Sequence, residues 1–309
     1  MLLKLGAASP FVAVERSRWS ELGAPAPPLA YDELADLSGL GEPVKLAEVS
    51  DVYVPLARLL ELRIDAARQL SAAQGSFLGD PSHAVPYLIA LGGSVAVGKS
   101  TAARVIVRLL QLLRPEWRVQ LVTTDGFLLP NAALIEKGIL ARKGFPESYD
   151  RRALLRFVAD LKSGVDEVHA PVYSHLSYDI VEGETQIVDR SDVVVLEGVN
   201  VLQRGSGRVY VSDFADFALY LDALETDVQR WYLNRFLALR NGAFQNPESY
   251  FHRYARLSDE EAVEVASGIW ERTNRPNLRE NIKPTRPRAD LILEKGGDHF
   301  VSRILLRRA

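Results

Sequence analysis

From residue 87 onward the chain alternates between short apolar runs and stretches with helical periodicity. Runs with the length of a buried strand lie at 87–91, 119–122, 193–196, 217–221 and 291–293, the last being the final expected strand. Between the first two runs, Val105, Leu109 and Leu112 recur at helical spacing before Pro115, which predicts a helix over 99–113. Apolar strands separated by helices are typical of a mostly parallel sheet flanked by helices on both faces. We therefore expect a three-layer α/β fold.

The amino-terminal part of the chain has a different character. Residues 1–45 are rich in proline and glycine, notably over 23–28, and predict an irregular arm. Over 46–73 apolar residues lie close to helical spacing and predict an amphipathic helix, one candidate for a dimer contact. No repeat of about 20–50 residues is visible. We expect a single domain over 1–309.

Composition excludes several classes of function. The 309 residues include 37 Lys+Arg and 40 Asp+Glu, a net charge of −3, so no basic field for nucleic acid or anionic lipid is expected. The absence of cysteine excludes disulfides, thiol nucleophiles, thiolate zinc sites and iron–sulfur clusters. No apolar stretch approaches the roughly 20 residues that span a bilayer, and the first residues do not resemble a signal peptide. We expect a cytoplasmic protein with neither a membrane nor a nucleic-acid partner.

One motif predicts phosphate binding. Residues 93–100 fit the pattern G-x-x-x-x-G-K-[ST] between an expected strand and an expected helix: Gly93, Ser94, Val95, Ala96, Val97, Gly98, Lys99 and Ser100. Glycine lets the backbone aim successive N–H groups at phosphate oxygens, and the helix adds its positive dipole end. We expect Lys99 to reach the β- and γ-phosphates and the Ser100 hydroxyl to bind Mg²⁺, with Thr101 completing the ATP-binding set.

Two acidic residues follow expected strands and should lie at the same sheet edge. Asp125, followed by Gly126, is the candidate base that aligns an acceptor hydroxyl and takes its proton. Glu197 stands where an acid would hold Mg²⁺, directly or through water. Each could instead be a turn or capping residue, since aspartate and glutamate are common there.

The motif alone leaves the reaction open. The chain has no [NT]-K-x-D sequence, the usual guanine-reading element, which favours ATP over GTP. An ATPase motor, a regulatory switch and a small-molecule kinase remain as alternatives.

Several segments in consistent order resemble the type I (bacterial-type) pantothenate kinases. They are GGSVAVGKSTAARV (92–105), TTDGFLLPN (123–131), KGFPESYD (143–150), PVYSHLSYD (171–179), VVLEGVNVLQ (194–203), VSDFADFALYLDA (211–223), WYLNRFLALR (231–240) and NIKPTRPRADLIL (281–293). This resemblance implies a P-loop kinase fold and the phosphorylation of pantothenate by MgATP, the first step of coenzyme A synthesis. It also implies a homodimer, competitive inhibition by coenzyme A, and acceptor-binding or lid segments at 126–180 and 231–280.

The resemblance assigns further roles to matching residues. Arg235 would stabilise charge on the transferred phosphoryl group, and His299 would stack on adenine. The implied pantothenate pocket consists of Tyr173, His175, Tyr178, Tyr232 and Asn274. The implied coenzyme A contacts are Arg104, His175, Phe236, Tyr250 and Phe251. The nearest alternative is a uridine or phosphoribulose kinase on the same scaffold, and a nucleotide-gated regulator is the alternative outside the kinases.

Overall fold

The computed structural model describes residues 9–23, 31–39, 44–79, 85–204 and 209–308. The strands are β1 (Phe11–Glu15), β2 (Tyr87–Gly93), β3 (Val119–Thr123), β4 (Glu167–Ser174), β5 (Asp179–Asp189), β6 (Val193–Glu197), β7 (Phe217–Asp222), β8 (Leu291–Lys295) and β9 (Val301–Arg307). The α-helices are α1 (Arg16–Ser20), α2 (Tyr31–Leu37), α3 (Leu46–Glu48), α4 (Val54–Leu78), α5 (Lys99–Leu113), α6 (Asn131–Glu136), α7 (Arg151–Lys162), α8 (Glu225–Asn241), α9 (Asp259–Ile269) and α10 (Arg275–Asn277). Short π-helical and 3₁₀ turns connect several of them.

A seven-stranded sheet forms the centre, in the order β1-β9-β8-β7-β2-β6-β3. Strand β2 pairs in parallel with both β6 and β7, β3 pairs in parallel with β6, and β8 with β7. The carboxyl ends of these strands therefore meet at one edge of the sheet. All five expected strands are present in this sheet, which confirms the mostly parallel α/β fold.

Burial explains why these segments form strands and helices. Every residue of β2 and of β6 is buried, as an apolar strand covered on both faces requires. Helix α5 has the expected bounds and buries Val105, Ile106 and Leu109 against the sheet. The expected helix over 46–73 is also confirmed: α3, a π-helical turn and α4 run without a break to Leu78, and Gly79 at φ 68° ends it.

The prediction of an irregular arm is wrong for residues 11–20 and 31–37. Strand β1 pairs antiparallel with β9, and the Trp19 indole of α1 donates a hydrogen bond to the Val52 carbonyl at 3.0 Å. Packing against residues far along the chain thus orders this segment, and α2 follows it. The proline-rich residues 24–28 lie outside the described residues. The expectation that 291–293 is the last strand is also wrong, because β9 follows it as an antiparallel partner of β8.

Strands β4 and β5 form a separate antiparallel hairpin beside β3. Side chains, rather than a backbone ladder, join it to the main sheet: the Gln186 amide donates to the Leu121 carbonyl at 2.8 Å, and the Gln120 amide to the Ile187 carbonyl at 3.1 Å. The hairpin tip thereby lies next to the carboxyl end of β3. None of the helices among the described residues combines the length and apolar character needed to cross a bilayer.

Candidate active site

The glycine motif forms a loop between β2 and α5. A Cβ atom on Gly93 (φ 144°) would lie 2.7 Å from the Leu221 carbonyl oxygen, so only glycine fits between β2 and β7. Gly98 adopts φ 93° directly before α5 begins. The Lys99 ammonium donates to the Ser94 carbonyl of its own loop at 2.8 Å. Sequence and geometry thus agree on a loop that can bind phosphate at the amino end of a 15-residue helix.

Ser100 and Glu197 meet at the end of β6. The Ser100 hydroxyl donates to a Glu197 carboxylate oxygen at 3.1 Å, and Glu197 is only 7% exposed. The pairing of β2 with β6 brings them together, because Leu91 lies opposite Glu197. Hydroxyl and carboxylate oxygens are suitable Mg²⁺ ligands. No group of three acidic or histidine residues among the described ones could hold a metal, so phosphate and water oxygens would supply the remaining ligands.

Asp125 lies in a short 3₁₀ turn, Thr124–Phe127, directly after β3. Two close contacts fix this turn. A Cβ atom on Gly126 would lie 2.0 Å from the Pro171 carbonyl oxygen of β4, and one on Gly198 would lie 1.8 Å from the Thr124 hydroxyl oxygen. The half-buried Asp125 is therefore held at the sheet edge where β6 ends in Glu197, because Thr123 pairs with Glu197 across β3 and β6.

Aromatic side chains form a wall near Asp125. The Tyr178 ring lies 6.2 Å from Tyr173, 5.1 Å from Tyr250 and 4.7 Å from Phe251 between ring centroids, and Tyr173 lies 5.2 Å from His175. We call these five residues the aromatic wall. Burial, with a smaller contribution from the Asp125 charge, raises the pKa of Tyr173 and Tyr178 above the usual value. Both phenols are therefore neutral near pH 7 and can donate hydrogen bonds.

Helix α8 brings a second set of expected residues to the same region. Burial raises the pKa of Tyr232 to about 12, against the opposing effect of a hydrogen bond between the Tyr232 and Asn274 side chains. Arg235 lies one turn further on α8, and its charge also opposes the rise in the Tyr232 pKa. Tyr232 and Arg235 thus share a helix face, as their spacing indicates.

Phe236 is buried in a small cluster beside the aromatic wall. Its ring centroid lies 5.5 Å from that of Phe244 and 5.6 Å from that of Tyr254, and Phe244 lies 5.1 Å from Phe251. This cluster packs α8 against α9. It connects three of the expected inhibitor contacts, Phe236, Tyr250 and Phe251, into one aromatic surface.

His299 and Arg104 are each held by neighbouring residues. The His299 ring stacks on Trp231 with centroids 3.6 Å apart, and its Nδ1 lies 3.4 Å from the Lys295 ammonium, which donates to the Val97 carbonyl at 3.0 Å. Arg104 on α5 donates from Nε to the Leu37 carbonyl at 3.0 Å. Lys295 thus links His299 to the phosphate loop, and Trp231 packs against the His299 ring; the sequence singled out neither residue.

Comparisons with known proteins match this arrangement. A model described as the phosphoribulokinase / uridine kinase family matches residues 88–244, about half of the chain. A pantothenate kinase of Myxococcus xanthus is 53% identical over 96% of this chain and 96% of its own length. Another, of Leifsonia xyli subsp. xyli, is 54% identical over 97% of this chain and 94% of its own length. The chain belongs to the pantothenate kinase family.

Membership of the pantothenate kinase family confirms the resemblance and establishes a kinase that uses a nucleotide. A solved D-glycerate 3-kinase of Cryptococcus neoformans var. grubii has the same fold, with a TM-score of 0.54 at 12% identity, covering 80% of this chain and 97% of that chain. The nucleotide-gated regulator, the alternative outside the kinases, is excluded by this family membership.

Lys143 lies in this region, although the sequence did not identify it as a site residue. Lys143 is 8% exposed, and its ammonium donates to the Asn131 side-chain oxygen at 2.7 Å and to the Tyr178 carbonyl at 2.6 Å. Burial lowers the pKa of Lys143 to about 8, against the opposing charges of Asp179 and Asp125. Lys143 is the first residue of KGFPESYD, one of the segments that resemble the pantothenate kinases. Its place in that segment is the sequence signal that could have identified it as a site residue.

Proposed function

We propose that this kinase transfers the γ-phosphoryl group of MgATP to the 4′-hydroxyl of pantothenate and so begins coenzyme A synthesis. One observation carries the proposal: the phosphate loop, Asp125 and the aromatic wall converge at a single edge of the sheet. The names of relatives about 53% identical over nearly the full chain point to the same acceptor. A uridine or phosphoribulose acceptor is less favoured, because the family model with those names matches only residues 88–244.

The residues divide the work of phosphoryl transfer. Lys99 and the loop residues 93–101 bind the phosphates, and Ser100 with Glu197 holds Mg²⁺, which neutralises phosphate charge when bound. Asp125 aligns the acceptor hydroxyl and takes its proton as the oxygen bonds to the γ-phosphorus. The bond from that phosphorus to the bridging oxygen breaks, and ADP leaves. Arg235 stabilises charge on the phosphoryl oxygens, for which a planar guanidinium is well suited.

Pantothenate offers a carboxylate, an amide and two hydroxyls, which match the groups around Asp125. Neutral phenols of Tyr173 and Tyr178, the exposed His175 ring and the Tyr232–Asn274 pair provide hydrogen-bonding groups on largely aromatic surfaces. The segments 126–180 and 231–280 carry all of these residues within the single domain. Their closure over the acceptor would exclude water, the competing acceptor.

The same site would account for regulation and nucleotide choice. We assign adenine stacking to His299, and inhibition by coenzyme A to Arg104, His175 and the surface of Phe236, Tyr250 and Phe251. ATP is the proposed donor. A homodimer, for which the helix over 46–73 is one candidate contact, and a cytoplasmic location complete the proposal.

Release of ADP from MgATP, measured with pantothenate, uridine or ribulose 5-phosphate as acceptor, tests the function. We expect ADP release with pantothenate but not with uridine or ribulose 5-phosphate. Added coenzyme A should raise the apparent KM for ATP. Equal turnover with uridine or ribulose 5-phosphate would overturn the acceptor assignment. An unchanged KM for ATP would overturn only the assignment of inhibition.

A further inference from the structure

Tyr178 has an unusual backbone conformation for a residue of the aromatic wall. Its φ is 54°, in the left-handed region that residues other than glycine rarely adopt. It lies at the tip of the β4–β5 hairpin, directly before β5 begins at Asp179. Such a conformation is strained and persists only where surrounding contacts hold it. The contacts that hold Tyr178 are therefore important for the shape of the wall.

Two side chains hold the Tyr178 carbonyl. The Lys143 ammonium donates to it at 2.6 Å, and the Asn131 side-chain amide donates at 2.9 Å. Lys143 also donates to the Asn131 oxygen at 2.7 Å, which fixes the orientation of that amide. The next residue is held as well, since the Asn131 backbone N–H donates to the Asp179 carboxylate at 3.0 Å. The turn at Tyr178 is thus clamped to the start of α6.

Lys143 is itself held in place. Its ammonium lies 4.1 Å from the centroid of the Tyr178 ring and 5.0 Å from that of Tyr173, so it contacts two members of the wall. The following residue, Gly144, accepts a hydrogen bond at its carbonyl from the Asn277 side chain at 2.8 Å. Asn277 lies three residues after Asn274 of the proposed acceptor pocket. Residues 143 and 144 together therefore connect the two acceptor segments.

We propose that Lys143 is a positioning residue of the acceptor pocket: together with Asn131 it fixes the left-handed turn that presents the Tyr178 ring to the acceptor. The inference rests on the proposed function for the identity of the acceptor. It assigns Lys143 no contact with the transferred phosphoryl group. A buried ammonium is suited to this task because charged hydrogen bonds to a carbonyl are stronger than neutral ones.

Kinetics of Lys143→Met provide the first test, because methionine keeps the length of the side chain but removes the charge and the donors. We expect the KM for pantothenate to rise about 10–100-fold, the effect typical of losing a hydrogen bond from a charged group. The KM for ATP should stay within about twofold, since the phosphate loop is untouched. The matched control is Lys137→Met at an exposed site on the same segment, which should change neither KM. An unchanged KM for pantothenate, or equal rises in both KM values, would refute the proposal.

A double-mutant cycle distinguishes positioning from direct contact with the acceptor. In Tyr178→Gly the ring is absent and glycine adopts the left-handed conformation without cost, so adding Lys143→Met should change the KM for pantothenate less than twofold. If Lys143 contacts the acceptor itself, the full effect of Lys143→Met persists in the Tyr178→Gly background, and the positioning role is wrong.

Amide hydrogen exchange of the protein without ligands makes the test independent of turnover. Lys143→Met should speed exchange in residues 174–180, whereas Lys137→Met should leave it unchanged. Unchanged exchange in Lys143→Met would refute the clamp whatever the activity. If exchange is faster in Lys143→Met but the wild-type protein does not turn over pantothenate, the clamp is confirmed and the proposed function is wrong.

Discussion

Replacement of Gly126 by alanine should displace Asp125 and slow phosphoryl transfer. The new Cβ would lie 2.0 Å from the Pro171 carbonyl oxygen, whereas ordinary contact begins at 3.4 Å. The turn and β4 must therefore separate by about 1.4 Å, and the neighbouring Asp125 carboxylate moves with the turn. Since a misplacement of about 1 Å can cost on the order of 10²-fold in rate, we expect kcat to fall about 10²-fold.

Measurement of kcat at saturating pantothenate and MgATP, with ATP affinity from direct titration, checks this reasoning. ATP affinity should be unchanged, because Gly126 lies outside the phosphate loop. Gly183→Ala is the control for added bulk: a Cβ on Gly183, which has a φ of 77°, meets no atom within 4 Å. The Gly183→Ala protein should lose about 1 kcal/mol of stability but keep the kcat of the wild type. A folded Gly126→Ala protein with kcat within about twofold of the wild type would show that the close approach to β4 does not position Asp125.

Further substitutions test the other assignments. Asp125→Ala should lower kcat about 10²–10⁴-fold with ATP affinity nearly intact, and unchanged turnover would remove Asp125 from the mechanism. Arg235→Ala should lower kcat about as much as Asp125→Ala, measured as the single-turnover rate. An effect confined to the KM for pantothenate would contradict the role of Arg235 in stabilising charge on the phosphoryl group. Glu197→Gln should raise the Mg²⁺ concentration for half-maximal activity about 10-fold, and an unaltered Mg²⁺ titration would exclude Glu197 from the metal site. Because the pKa of Lys143 is lowered to about 8, its ammonium loses its charge as the pH rises through that value, and kcat/KM for pantothenate should fall there. The carboxylates of Asp125 and Asp179 face this ammonium and favour its charged form. The falling limb should be absent from the pH profile of Lys143→Met; if it persists there, another group causes it.

The parallel strands could be predicted because each consists largely of apolar residues. Strand β5 could not, since Val188 is the only buried residue of Asp179–Asp189 and the strand has little hydrophobic periodicity. Strand β9 mixes buried positions such as Ile304 with polar ones. Its pairing with β1 depends on contact between the two ends of the described chain. Local pattern carries no information about such a partner.

The residues of the candidate site also differ in how well the sequence predicts them. The phosphate loop is a continuous motif, so its residues and the following helix could be predicted from spacing alone. Lys143 acquires its surroundings only when α6 and the β4–β5 hairpin meet, 12 and 35 residues away in the chain. The aromatic wall likewise consists of residues from separate segments. Resemblance supplied its members, and the structure brings them into contact.

The antiparallel pairing of β1 with β9 has a consequence for synthesis of the chain. Strand β1 leaves the ribosome before strands β2 to β9 but has no partner until residues 301–307 follow. The Lys295 ammonium reaches the Val97 carbonyl across 198 residues of sequence, so the nascent phosphate loop also waits for that support. Contacts this distant in sequence form late and slow folding. A nascent chain that lacks β8 and β9 therefore has an unpaired apolar strand β1 and a phosphate loop without its Lys295 contact, and such exposed strand edges favour aggregation.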